Sequence, residues 1–255
     1  MELIKINNRV YRIRTKAAEL TVYEVRKVSN YAKPKEFESD EGFVDFMQYA
    51  RNVLKVISTI PERIINDLPE AQLVTIFNYV NDLITELETL NFQIYEPIHS
   101  TLPYPIPVVS NSTYVYGHDI TAGKYLEASD IVNAAVTRPA LLGMLPHIYG
   151  GFDDSFILNV YNDGGLPFAI AIDFLKIHLN VSENINSSFP VLAEKSKGAD
   201  TVKGIGSRGI AYEMAMAGIA PVNELLKMNV FHFFEALAYL RTVNKIIKKK
   251  YETQH

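Results

Sequence analysis

Hydrophobic positions alternate over the first 15 residues and recur at helical spacing through most of the rest of the chain. Leu3-Ile4-Lys5-Ile6 and Arg9-Val10-Tyr11-Arg12-Ile13-Arg14 flank Asn7-Asn8. Asparagine tolerates positive φ, so the pattern predicts a β-hairpin closed by a two-residue turn. Lys5, Arg9, Arg12, Arg14 and Lys16 mark one of its faces as solvated. A lone hairpin is marginal in water and must lean on another element. From Thr21 the period turns helical. Thr21 and Glu24 fit a capping box, Val22, Val25 and Val28 follow, and Lys33-Pro34-Lys35 ends the helix. Glu36 to Glu41 reads as an acidic loop. Phe43, Phe46, Met47, Ala50, Val53, Leu54 and Ile57 trace a second helix. Pro61 and Pro69 stand where short helices begin, the latter predicted to run unbroken from Glu70 to Leu90.

Pro97, Pro103, Pro105 and Pro107 make residues 97–118 a proline-rich linker candidate, too apolar for a free tether. Beyond it the pattern predicts helices over 121–136, 141–149 and 168–179. A long polar loop over 182–209 and a last helix over 229–251 follow. The expected fold is mainly α (α+β). An N-terminal β-hairpin plus helical domain spans 1–96, and a C-terminal helical domain spans 119–255. One internal echo crosses the linker: Glu19-Leu20-Thr21-Val22 lines up with Asp119-Ile120-Thr121-Ala122. It reads either as the common look of helix starts or as a duplicated module.

Composition narrows the function. The 255 residues include no cysteine and no tryptophan, which excludes disulfides, thiolate nucleophiles and iron–sulfur ligation. A net charge of −4 argues against broad electrostatic binding to nucleic acid. No apolar run reaches the roughly 18 residues of a transmembrane helix, and the N-terminus lacks the apolar core of a signal peptide. A soluble intracellular globular protein is the expectation. Residues 1–35 carry nine Lys/Arg against three Glu, and residues 36–100 carry three Lys/Arg against twelve Asp/Glu. This +6/−9 asymmetry reads as two solvated faces or as electrostatic docking, within the chain or between copies.

Catalytic patterns are sparse. Gly204-Ile205-Gly206-Ser207-Arg208-Gly209 matches a dinucleotide fingerprint in spelling, but a polar stretch precedes it where a buried strand is required. It reads as a glycine hinge before a helix, with Arg208 able to bind an anion at that helix start. The six histidines (His99, His118, His147, His178, His232 and His255) show no metal-binding pair spacing. Asp153, Asp154 and Asp163 lack the spacing of a calcium loop. His118, His147 and Arg208 are the groups around which an enzyme pocket would have to form. Asp173, inside the apolar run Phe168 to Leu175, must either face out beside Lys176 or meet a cation. No catalytic residue, metal or cofactor is assigned.

Several segments together resemble the tail assembly chaperones of long-tailed bacteriophages. Val53 to Leu83, with Ile60-Pro61-Glu62 and Asp67-Leu68-Pro69-Glu70-Ala71, is similar to a recurring helix–"Pro-Glu"–"Asp-Leu-Pro"–helix block in them. Ile120-Thr121-Ala122-Gly123-Lys124-Tyr125-Leu126 resembles a "Thr-x-Gly-x-Tyr" opening. Leu166-Pro167 through Phe174-Leu175 resembles their apolar helix. The chain is longer than most of them and adds a hairpin. The resemblance implies a non-enzymatic factor in the host cytoplasm that self-associates and binds an apolar helix of a tape-measure or other tail protein. Phe231, Phe233, Phe234, Leu237 and Tyr239 on the last helix are the candidate contacts, and the 182–209 loop could order on binding. The alternative is a structural virion subunit of the tail, baseplate or head–tail connector. In that case the hairpin would add to a neighbour's sheet.

Overall fold

The computed structural model describes residues 1–31, 33–34, 40–89, 120–150, 154–162, 164–192 and 206–252. The proline-rich linker 97–118, His118 and Gly204-Ile205 lie outside them. The described chain is mainly α-helical, opening with one two-stranded antiparallel sheet.

Strands β1 (Glu2–Ile6) and β2 (Arg9–Ile13) pair in the register Ile6↔Arg9, Ile4↔Tyr11 and Glu2↔Ile13. Asn7 and Asn8 take φ of 49° and 64°, the two left-handed residues of a type I′ turn. Ile6, Tyr11 and Ile13 are buried on one face, while Leu3, Lys5, Val10 and Arg12 are exposed on the other. Helix α1 (Val22–Asn30) starts at the predicted capping box: the Glu24 amide donates to Thr21 Oγ1 at 3.2 Å, and the Thr21 amide donates to Glu24 Oε2 at 2.9 Å.

The short and medium helices follow their prolines. Helix α2 (Asp40–Ile57) leads to α3 (Glu62–Asn66) and α4 (Glu70–Asn78), with Pro61 and Pro69 as N-caps. The carbonyl of each proline accepts from the amides three and four residues on, so the ring blocks no helical hydrogen bond. The single helix expected over 70–90 is two. The Tyr79 amide donates to Ile76 and the Val80 amide to Phe77, and α5 (Asn81–Thr89) restarts after this tightened turn. Helix α5 buries Leu83, Ile84 and Leu87.

Next come α6 (Ala122–Ala135), a 3-10 turn at Pro139–Met144, α7 (Leu145–Gly150) and α8 (Asp154–Asn162), the last not anticipated from sequence. Helix α9 (Phe168–Ser188) runs nine residues beyond the expected end at 179 and takes in the start of the predicted loop. Its polar extension is amphipathic: Val181 and Ile185, one turn apart, are both buried. Helices α10 (Gly209–Met216), α11 (Val222–Lys227) and α12 (Val230–Glu252) complete the chain.

Two compact units result, and neither is a contiguous half. The first comprises Met1–Val108, Ala134–Met144 and Asp153–Ile172; the second comprises Val109–Asn133, Leu145–Phe152 and Asp173–His255. In the first, α1 packs on α2, α8 and the 3-10 turn, where Gly143 lies so close that a Cβ would come within 2.8 Å of Val22 Cγ1. The second is built around Tyr125, Tyr149, Phe174, Met214, Leu225, Phe233 and Leu237.

Each unit contains the same backbone device at its first helix. The Val22 amide donates to Leu166 at 2.9 Å and the Phe168 amide to Leu20 at 2.8 Å, an antiparallel bridge pairing Thr21 with Pro167. In the second unit the Ala122 amide donates to Met228 at 2.8 Å and the Val230 amide to Ile120 at 3.0 Å, pairing Thr121 with Asn229. The echo seen in sequence therefore extends to the pairing partner. In both cases that partner is the residue just before a long helix, α9 or α12.

Candidate functional site

Helix α12 carries all five residues expected to contact a partner, and the structure divides them. Phe233, Phe234 and Leu237 are buried in the second unit, with Phe234 edge-on to Tyr125 at 5.5 Å and to Phe233 at 5.3 Å. Phe231 is half-buried, and only Tyr239, at 69% exposure, stands open. The expected contact stripe is thus mostly core, because the face that a helix shows as apolar is also the face that tertiary packing consumes. The surface lies further along. From Asn244 to Tyr251 every residue of α12 is exposed, including Ile246, Ile247 and Tyr251. At about 100° per residue, Tyr239 and Ile246 lie roughly opposite Phe233 and Leu237, while Val243 and Ile247 fall between that side and the Phe233 side. Lys245, Lys248 and Lys249 lie on the other side of these turns.

The second unit also holds a buried polar network that the sequence did not reveal. His178 on α9 is 4% exposed, and its ring stacks on Tyr125 at 4.9 Å. Burial holds its pKa down at about 4, so the ring is neutral at pH 7. Burial also raises the Tyr149 phenol well above its ordinary value. The consistent arrangement has the Tyr149 hydroxyl donating to His178 Nδ1 at 2.7 Å, with Nε2–H directed at Ser129 Oγ at 3.4 Å. Ser129 in turn donates to the Tyr125 carbonyl, and Ser182 to the His178 carbonyl. Tyr125 completes the set by meeting Ser182 at 2.8 Å. A neutral, fully partnered imidazole behind aromatic rings orders the α6–α7–α9 packing; it is not presented to a substrate.

The glycine motif is structural too. Gly206 has φ +60°, and a Cβ there would lie 2.6 Å from Asp130 Oδ2. The Ser207 amide donates to Asp130 Oδ1 at 2.9 Å, and Arg208 pairs with Glu127 at 3.2 Å. The anion expected at Arg208 and this helix start is supplied by the protein's own α6 carboxylates. His147 on α7 shares no hydrogen bond or ion pair with Arg208 among the described residues. Asp173 does not face out: its side chain is 14% exposed and lies 4.0 Å from Lys176. Among the described residues no three His, Asp or Glu side chains converge on a metal position, and no helix is long and apolar enough to cross a membrane.

Three clefts lie in the first unit. One of about 310 Å³ brings Arg26, Ser29 and Asn30 of α1 opposite Thr137 and Arg138. Its neighbour, about 370 Å³, shares Ser29 and Thr137 and adds the Lys33–Glu88 ion pair and Tyr49, whose phenol burial pushes up to about 12. A third, about 520 Å³, is acidic, with Glu2, Asp82 and Glu86. Glu86 is buried and accepts from the Ala17 amide at 2.7 Å; burial raises its pKa despite that bond.

Comparison with known proteins found no matching family model, no matching curated protein and no matching solved structure.

Proposed function

We propose that this protein is a non-enzymatic assembly factor of a bacteriophage tail, which binds an apolar helical segment of a tape-measure or other tail protein. The observation that carries the reading is the outer stripe of α12. Tyr239, Ile246 and Ile247 are exposed along its outer turns, Tyr239 and Ile246 on the side away from the core residues Phe233 and Leu237. An unburied apolar stripe on a helix is the surface that a second amphipathic helix covers, and such docking needs no catalytic group. The resemblance of Val53–Leu83, Ile120–Leu126 and Leu166–Leu175 to tail assembly chaperones supplies the biological setting. The reading moves the contact from the buried Phe233, Phe234 and Leu237 to Tyr239 and the distal turns.

Mass spectrometry of purified mature virions beside lysate of the same infected host tests the setting. A chaperone is present in lysate and absent from finished particles. A fixed copy number in virions assigns the structural-subunit role instead, and absence from both refutes the phage setting. Pull-down with tape-measure fragments then tests the contact: Ile246→Glu with Ile247→Glu abolishes capture if the stripe is the binding face.

A further inference from the structure

The hairpin has one edge in use and one open, and the turn geometry says which groups the open edge offers. In a two-residue hairpin the residues closing the turn, Ile6 and Arg9, exchange hydrogen bonds, and so do Ile4↔Tyr11 and Glu2↔Ile13. The intervening residues turn their backbone groups outward. On the β2 side the outward groups of Arg12 and Arg14 are used: the Arg12 amide donates to Thr59 Oγ1, the Arg12 carbonyl accepts from the Thr59 amide at 2.9 Å, and the Arg14 amide donates to Ile57 at 3.0 Å. On β1 the corresponding groups belong to Leu3 and Lys5. Among the described residues nothing pairs with them, and both residues are exposed. Two amides and two carbonyls therefore stand in the spacing that a further strand requires.

The side chains beside that edge say what kind of strand fits. Leu3, Lys5, Val10 and Arg12 share the outer face, with Leu3 65% and Val10 62% exposed. Arg14 is ion-paired with Glu24, whereas Lys5, Arg9 and Arg12 have no ion-pair partner among the described residues. A second copy of this chain paired edge to edge would put two Lys5 and two Arg12 on one face of the joined sheet, where like charges oppose assembly. A strand whose acidic residues lie on this outer face turns the same charges into attraction, and its alternate apolar residues fall on the opposite face beside Ile4.

We propose that the outer edge of β1 is a strand-addition site for an extended peptide segment of a partner protein in which acidic and apolar residues alternate. The partner's backbone bonds to Leu3 and Lys5, and its carboxylates face Lys5 and Arg12. This surface lies in the first unit and does not depend on the α12 stripe.

The probe is a labelled, end-blocked decapeptide of alternating glutamate and valine, titrated against the full chain by fluorescence anisotropy. Three comparisons accompany it: the same peptide N-methylated at alternate residues, a lysine-for-glutamate peptide, and the variants Lys5→Pro and Arg12→Glu. Lys5→Pro removes an outward amide that the hairpin does not use. Saturable binding that falls at least tenfold with N-methylation, with lysine replacement and with Arg12→Glu is expected. Ile246→Glu, Ile247→Glu leaves binding unchanged. Absence of binding, or binding indifferent to N-methylation, overturns the proposal whatever happens to the Lys5→Pro fold. Sedimentation showing a dimer that Lys5→Pro dissolves overturns it in favour of self-pairing.

Discussion

Acidification should weaken this fold through His178, and the size of the effect follows from the burial of its ring. The imidazole is enclosed by Tyr125, Tyr149, Ser129 and Ser182, and its pKa in the fold is about 4 against an ordinary 6.5. The folded state therefore resists a proton that the unfolded chain accepts. A depressed folded pKa gives stability that is complete above about 6.5 and is lost as pH falls toward 4. That gap corresponds to roughly 3 kcal/mol, a large share of a typical stability of about 5–15 kcal/mol. Carboxylates titrate in part of the same window, so the measurement is a difference. Urea unfolding at pH 7, 6, 5 and 4 is compared for the wild-type chain and His178→Gln. The variant loses the Tyr149 and Ser129 bonds at every pH, but it has no proton to gain. Its stability deficit relative to wild type should therefore shrink by roughly 3 kcal/mol between pH 7 and 4. A deficit that stays constant refutes the reasoning, as does an NMR titration placing the His178 ring near 6.5.

Four further outcomes are expected. Gly206→Ala should cost about 1–3 kcal/mol, because it forces a left-handed residue to carry a Cβ against Asp130; thermal unfolding of the variant beside Asp130→Ala measures it. Gly143→Ala should cost a similar roughly 1–3 kcal/mol by overpacking Val22 and Val160, read from the shift in urea midpoint. Asn8→Gly should stabilise the hairpin by a few tenths of a kcal/mol, since glycine meets the +64° φ without strain; amide exchange at Tyr11 and Ile13 should slow accordingly. Phe233→Ala should cost about 3–5 kcal/mol and Tyr239→Ala within roughly 0.5 kcal/mol, while only the latter should weaken capture of a tail-protein helix without loss of fold.

The candidate site was legible in sequence only as far as the helix that bears it. Val230, Phe233, Phe234 and Leu237 announce an amphipathic helix, but periodicity cannot distinguish a stripe that meets the protein's own core from one that meets a partner. Ile246 and Ile247 are weaker signals, diluted by lysines, and they are the ones left at the surface. The His178 network had no sequence signature at all. Its members come from α6, α7 and α9, as far as 57 residues apart in the case of Tyr125 and Ser182.

What the chain determines locally is what short-range chemistry decides. Two asparagines accept positive φ at 7 and 8, Thr21 and Glu24 satisfy each other's amides, and Pro61 and Pro69 set helix starts with no missing bond. These devices act within a few residues and need no partner. Tertiary structure decided the rest, because burial is a property of neighbours distant in sequence. It broke the 70–90 helix at Tyr79, and it carried α9 nine residues into a polar stretch because Val181 and Ile185 found a core. It drew Ala134–Met144 into the first unit and Leu145–Phe152 into the second. It also brought the Asp130 carboxylate to Gly206, so that a motif spelled like a phosphate loop holds a side chain of its own protein.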